Sequence, residues 1–137
     1  MGKKFKFLEH TADIKFQAFG KSLEEVFENS ALAMFNSMYE GKVKTIKKKK
    51  IKVEGKDYEN LLYNFLEELL FLFDSEGFFV GGIKKLEIEK NKLTATLVGD
   101  DAKNYEISID VKAVTYNEMF VREEKKGKWT VQVVVDV

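Results

Sequence analysis

Two short segments near the amino terminus alternate between apolar and polar residues, as β-strands do. The first is Phe5–Leu8, and the second covers residues 13–19 and ends at Gly20. Alternate residues of the second segment would share one buried face: Ile14, Phe16 and Ala18. The chain therefore begins with two predicted strands.

The next two ordered segments have the period of a helix. Ser22 and Glu25 match a capping box, and Gly41 is a suitable stop for the helix that follows. Asp57 caps a second predicted helix that runs to about residue 74. Apolar side chains cover most of the circumference of this second helix, so we expect it to be the central core helix. Burial of part of it against a partner is the alternative.

From Ile83 onward the period returns to two. The glycines in residues 77–82 predict a loop, and strands are predicted for segments 86–88, 93–97, 105–111, 113–122 and 129–135. Turns are expected at 91–92 and within 123–128. Early helices followed by consecutive strands indicate an α+β fold, with two helices packed on one face of a mostly antiparallel β-sheet. We expect one domain over residues 1–137.

Four consecutive lysines occupy residues 47–50 and lead into a short alternating segment. Such a run can contact nucleic acid. Lysines are also common on edge strands, where they prevent pairing with another sheet. We favour edge protection and keep RNA contact as the less favoured alternative.

Composition removes several classes of chemistry. The 137 residues contain no Cys and one His, which excludes disulfides, thiolate nucleophiles, zinc–thiolate sites and sites with several histidines. Twenty-three basic residues balance 23 acidic ones, so no global field attracts nucleic acid. The amino terminus does not resemble a signal peptide and no apolar run is long enough to span a membrane. We therefore expect a cytoplasmic location.

Candidate reactive groups are few. We find no nucleophile–base pair and no glycine-rich phosphate loop. His10 lies beside Thr11 and Asp13, and a packing role is its simpler interpretation. Asp136 and the carboxylate of Val137 offer two neighbouring acidic groups, to which Asp13 could add a third. Hard oxygen donors suit Ca²⁺ or Mg²⁺, but spacing alone favours a solvated terminal Asp.

Four blocks of sequence, in order, resemble the archease family. They are Leu8-Glu9-His10-Thr11-Ala12-Asp13-Ile14, Gly20-Lys21-Ser22-Leu23-Glu24-Glu25-Val26-Phe27, Lys112-Ala113-Val114-Thr115-Tyr116, and Gly127-Lys128-Trp129 followed by Val135-Asp136-Val137. The resemblance covers essentially the whole chain. The family usually has a His after the Thr-Tyr pair, where this chain has Asn117.

The resemblance implies an archease-like two-layer fold and a helper protein rather than an enzyme. Archeases activate the GTP-dependent RNA ligase of tRNA splicing, promoting its guanylylation and multiple turnover, so RNA would be a partner only through the ligase. The family's metal site corresponds to Asp13, Asp136 and Val137 here, with Ca²⁺, Mg²⁺ or Mn²⁺ as the cofactor. His10 and Lys112 are further functional candidates. The alternatives are a chaperone-like or RNA-binding module and, less favoured, a metal-dependent enzyme.

Overall fold

The computed structural model describes residues 2–9 and 12–137. Two α-helices and seven strands follow one another in this part of the chain. They are β1 (Phe5–Leu8), β2 (Ile14–Gly20), α1 (Leu23–Met38), β3 (Lys47–Glu54), α2 (Tyr58–Glu76), β4 (Phe78–Glu89), β5 (Lys92–Asp101), β6 (Ala113–Lys125) and β7 (Lys128–Asp136).

The strands form two antiparallel sheets. One has the order β1-β2-β7-β6 and the other the order β3-β5-β4. Helix α1 packs on β2 and β4, while α2 packs on β6, β3 and β4, so each helix contacts strands of both sheets. The expected α+β class, with two helices and antiparallel strands, is confirmed. The strands are divided between two sheets, and residues 102–112 connect β5 of one sheet to β6 of the other.

Helix α1 begins where its capping residues predicted. The Ser22 hydroxyl accepts the Glu25 N–H at 3.1 Å, and Glu25 Oε1 accepts the Lys21 N–H at 2.7 Å. In a capping box the Glu side chain accepts the N–H of the cap residue; here it accepts the N–H of Lys21, the residue before the cap. The Ser22 hydroxyl satisfies a backbone donor of the first helical turn that has no intrahelical partner. The helix ends at Met38, ahead of Gly41.

Helix α2 is the core helix that its composition predicted. The Asp57 carboxylate accepts the Asn60 N–H at 2.8 Å, and Gly77, at φ 65°, ends the helix by donating to carbonyl oxygens of its last turn. Five of its apolar side chains are fully buried: Leu61, Leu62, Phe65, Leu66 and Leu69. Phe71 is 59% exposed, so one strip of the helix faces outward.

Two local predictions were wrong. Residues 105–111, predicted as a strand, form no ladder, because this segment connects the two sheets and bonds elsewhere; the Ser108 N–H, for example, donates to the Met38 carbonyl at 3.0 Å. Residues 78–80, predicted as a loop, are the buried start of β4 and pair with the end of β5. The glycines after them fall at a register shift in β4.

Neither helix in the described part of the chain is long and apolar enough to cross a membrane.

Candidate functional site

The register between β2 and β7 brings the two predicted metal-binding aspartates to one end of the four-stranded sheet. Ile14 is opposite Val135 in this antiparallel pair. Asp13 precedes Ile14 and Asp136 follows Val135, so the two aspartates flank the last pair of this ladder. Residues that are far apart in the sequence therefore lie at the same end of one strand pair.

Strand β6 borders Asp136 on its other side. Ala113 is the partner of Asp136, and the Lys112 N–H donates to the Asp136 carbonyl oxygen at 2.8 Å. Lys112 thus joins this sheet end through its main chain, while the residue as a whole is exposed. Val137 follows Asp136 directly and is 39% exposed. Asp13, Lys112, Asp136 and Val137 are consequently grouped at one edge of the fold.

Asp136 lies on the sheet face that points away from the helices. Val135 is fully buried in the core, and because side chains alternate, its neighbour Asp136 lies on the opposite face, where it is exposed. The next row on that face contains Lys15, whose ammonium pairs with Glu118 at 2.9 Å. The nearest lysine of β2 is therefore engaged by a glutamate of β6.

A wide bulge in β6 covers this outer face. The register jumps between Thr115 and Phe120, and Glu118 has a positive φ of 54°. The Gln132 side chain donates to the Glu118 carbonyl at 2.8 Å and accepts from the Gln17 side chain at 2.9 Å. These bonds hold the bulge on the sheet, which buries both Gln132 and Val134.

Asn117, the residue that stands where the family usually has His, lies in this bulge. Its N–H donates to Thr115 Oγ1 at 3.2 Å, and the Thr115 hydroxyl donates to the Val134 carbonyl at 2.9 Å. Thr115 thereby links the bulge to β7 two residues before Asp136. The side chain at position 117 is exposed on the same bulge.

Helix α2 supports β6 from the other side. Glu67 Oε2 accepts the Val114 N–H at 2.8 Å. Tyr116 stacks on Tyr63 with ring centroids 4.2 Å apart. The Tyr116 hydroxyl accepts a hydrogen bond from the Asn60 side-chain amide at 2.6 Å. Burial, followed by the nearby charge of Glu67, raises the pKa of Tyr63. The sequence analysis did not single out Asn60, Tyr63 or Glu67, which are three of several polar or tyrosine positions on this helix.

The donors gathered at this edge fit a hard divalent cation. They are the carboxylates of Asp13 and Asp136 together with the main-chain oxygens of Val137. Within residues 2–9 and 12–137, no group of three or more His, Cys, Asp or Glu side chains is arranged to hold a metal. The site would therefore depend on main-chain oxygen and on ligands from outside the group. His10, a further candidate from the sequence, lies outside the described residues.

The lysine run lies far from this edge, on β3. Strand β3 is an edge strand of the three-stranded sheet, as the sequence predicted. Lys47 pairs with Asp101 at 3.6 Å, and Lys49 pairs with Glu76 of α2.

Comparison with known proteins decides the family. The profile of the archease protein family (MTH1598/TM1083) matches residues 5–137. The chain belongs to the archease family. The Methanosarcina barkeri archease is 42% identical over 144 residues, covering 99% of this chain and 97% of the relative. The Pyrococcus furiosus archease is 43% identical over 137 residues, covering 94% and 95%.

Two solved structures share the archease fold. The solution structure of Methanobacterium thermoautotrophicum protein 1598 is 35% identical and superposes with a TM-score of 0.80, covering 98% of this chain and 99% of that one. The crystal structure of the Thermotoga maritima archease, 24% identical, superposes with a TM-score of 0.63 over 96% of both chains. The second likeness concerns the fold alone.

Proposed function

We propose that this archease activates a GTP-dependent RNA ligase of tRNA splicing, promoting guanylylation of the ligase and its multiple turnover. The observation that carries the proposal is the register of β2 and β7. It supports the proposal because Ile14 pairs with Val135 at the end of the ladder, next to the two aspartates that the family resemblance implies for metal binding. The protein works as a cofactor of the ligase and not as an enzyme, consistent with a sequence that has no Cys and a single His.

Asp13, Asp136 and the main-chain oxygens of Val137 would hold the divalent cation, with Ca²⁺, Mg²⁺ and Mn²⁺ as candidates. When bound, the cation supplies a positive charge that oxygen ligands of the ligase or its nucleotide can share. The Ile14–Val135 pair anchors the chain next to each aspartate, and the hydrogen bond from the Lys112 N–H to the Asp136 carbonyl holds the end of β7 against β6. A site open on one side suits ligands from a partner.

The decisive experiment is a guanylylation assay of the cognate ligase with and without this protein at substoichiometric concentration. We expect a faster formation of the ligase–guanylate adduct and more than one ligation per ligase molecule. The protein alone should neither hydrolyse GTP nor join RNA. Ligation or GTP hydrolysis by the ligase-free protein, or an unchanged ligase, would contradict the proposal.

A chaperone-like role is the second candidate. The Thermotoga maritima structure is described as that of a possible chaperone. In this chain several large apolar side chains are exposed, as binding to unfolded clients would require. They include Phe7, Ile46, Phe71 and Tyr116. Suppression of heat-induced aggregation of an unrelated client, at equimolar protein and without metal, would favour this role over a specific action on the ligase.

A further inference from the structure

The outward face of the three-stranded sheet carries a group of lysines that neither the fold nor the proposed ligase site uses. Three come from β3 and alternate along it, and two come from the register shift of β4. They are Lys48, Lys50, Lys52, Lys84 and Lys85. All five are exposed, and we call this group the lysine face.

The register arranges the lysine face in rows across β3, β5 and β4. Lys50 is opposite Thr96, which is opposite Lys85. Lys52 is opposite Thr94, whose β4 partner is Glu87. Alternate residues of β3 are about 6.7 Å apart, and two strand spacings separate Lys50 from Lys85 by about 9.6 Å at the backbone. The lysines therefore border a central strip of threonine hydroxyls.

The β3 lysines divide into two sets by their partners. Lys47 and Lys49 pair with Asp101 and Glu76. In the described part of the chain, no ion pair involves the outward Lys48, Lys50, Lys52 or Lys84. Lys85 lies 3.6 Å from Glu87, but both side chains are about two-thirds exposed, which makes the attraction weak.

This arrangement carries an electrostatic cost within a chain that has as many acidic as basic residues. The backbone spacings are within the screening length of about 10 Å at 0.1 M salt, so the lysines repel one another. Edge protection explains a lysine on β3 or on β4 separately. It does not require that Lys50 and Lys85, from the two edge strands, lie in one row across β5 with no acidic residue in that row. A bound polyanion would offset the repulsion among the lysines, because each ammonium group would be attracted to it.

We propose that the lysine face binds the phosphate backbone of single-stranded RNA without regard to sequence. The ammonium groups neutralise phosphates, and the hydroxyls of Thr94 and Thr96 donate hydrogen bonds to phosphate oxygens between them. No residue in these rows is aromatic, so bases are not stacked or read. The phosphate contacts serve RNA and DNA equally; the choice of RNA rests on the proposed function beside an RNA ligase.

The test is fluorescence anisotropy of a labelled 20-nucleotide RNA titrated with the full chain, without ligase, between about 50 and 200 mM salt. Single-strand binding through four or five phosphates gives a log–log salt slope of about −3. The variant K48Q/K50Q/K52Q should have a shallower salt dependence, with a slope of about −1.4. Its binding should be at least about tenfold weaker than that of the parent at the lowest salt. The variant K48R/K50R/K52R should retain binding, since charge is kept.

The matched control removes three exposed lysines from the β6–β7 hairpin: K125Q/K126Q/K128Q. It has the same net charge as the glutamine variant of β3 and should bind RNA within about twofold of the parent. Circular dichroism and thermal midpoints confirm that all variants fold. A DNA oligonucleotide of the same sequence should bind with similar affinity.

Three results would overturn the proposal. One is no RNA binding by the parent at low salt. Another is an equal loss in the hairpin control, because net charge alone would then explain binding. The third is tighter binding of poly-glutamate than of RNA, which would assign the lysine face to an acidic protein partner. These results do not depend on ligase activation, so they are distinct from failure of the proposed function.

Discussion

Ile14 of β2 pairs with Val135 of β7, the last strand of the fold. Both side chains point toward the helices, Val135 fully buried and Ile14 packed against the core. Because strand residues alternate, Asp136, which follows Val135, lies on the outward face. Asp13 precedes Ile14 at the same end of the strand pair, so one apolar pair in the core brings both aspartates to this end of the sheet.

The two aspartates should be needed for metal binding and for activation, but not for folding. We expect Asp13→Asn and Asp136→Asn to lose divalent-ion binding in calorimetric titrations and to lose most stimulation of ligase guanylylation. Thermal stability should stay the same or rise, because removing one of two neighbouring carboxylates relieves repulsion. Glu124→Gln, an exposed change at the other end of β6, is the control. Aspartate variants that bind metal and activate like the parent would show that the proposed site is wrong.

A residue added after Val137 should impair the site. A Gly-Ser extension moves the terminal carboxylate away from Asp13 and Asp136 and leaves only the Val137 carbonyl. We expect weaker metal binding and reduced ligase activation if the carboxylate is the ligand, and little change if the carbonyl serves instead. The control is the same extension at the amino terminus. Calorimetry and the guanylylation assay on both extended chains distinguish the two ligands.

The N-cap of α2 should contribute measurably to stability. Asp57→Ala removes the acceptor of the Asn60 N–H and should lower the free energy of unfolding by about 1 kcal/mol. Asp57→Asn keeps an acceptor at the same place and should cost much less. Urea denaturation of the two variants and the parent gives the comparison. Equal losses for Ala and Asn would mean that the charge, and not the hydrogen bond, stabilises the helix.

Acid should weaken the fold through Asp100. This carboxylate is 2% exposed and accepts the Tyr105 hydroxyl at 2.6 Å and the Asp101 N–H at 2.7 Å. These bonds, the tyrosine first, hold the pKa of Asp100 below its ordinary value of 3.8. Since the folded pKa is the lower one, the unfolded chain binds more protons in acid. The stabilisation is complete above the unfolded pKa and is lost as the pH falls through the folded pKa.

Unfolding of Tyr105→Phe and of the parent in urea, from pH 7 down to pH 3, measures this contribution. The variant should be less stable at neutral pH and should lose less of its stability between pH 5 and pH 3. Lys126→Gln, an exposed change in the β6–β7 hairpin, serves as the control. Parallel pH profiles for Tyr105→Phe and the parent would show that the acid sensitivity arises elsewhere.

The lysine run should be dispensable for ligase activation. Replacing residues 47–50 with neutral polar residues should leave guanylylation of the ligase largely intact, because β3 lies on a different sheet from Asp13 and Asp136. The same variant should bind RNA more weakly, since two of the residues belong to the lysine face. The guanylylation assay is run without RNA so that the two effects separate. A loss of activation comparable to that of Asp13→Asn would place the run in the ligase interface.

The sequence alone determined where the helices begin. Ser22 and Asp57 each accept a backbone N–H three residues further along the chain, so their effect is local and can be predicted from the sequence. The core character of α2 was equally visible, because burial of its apolar side chains is required whatever the partners are. The resemblance of four sequence blocks identified the family before any contact was known.

The tertiary structure decided what depends on distant pairing. Residues 105–111 alternate like a strand but cross between the sheets, while residues 78–80 lie beside glycines yet pair with β5. Whether a segment becomes a strand depends on a hydrogen-bonding neighbour that its own sequence does not contain. The same reason explains both surfaces: Asp13 lies at the same end of the sheet as Asp136, and Lys50 shares a row with Lys85, only because long-range registers align strands from different parts of the chain.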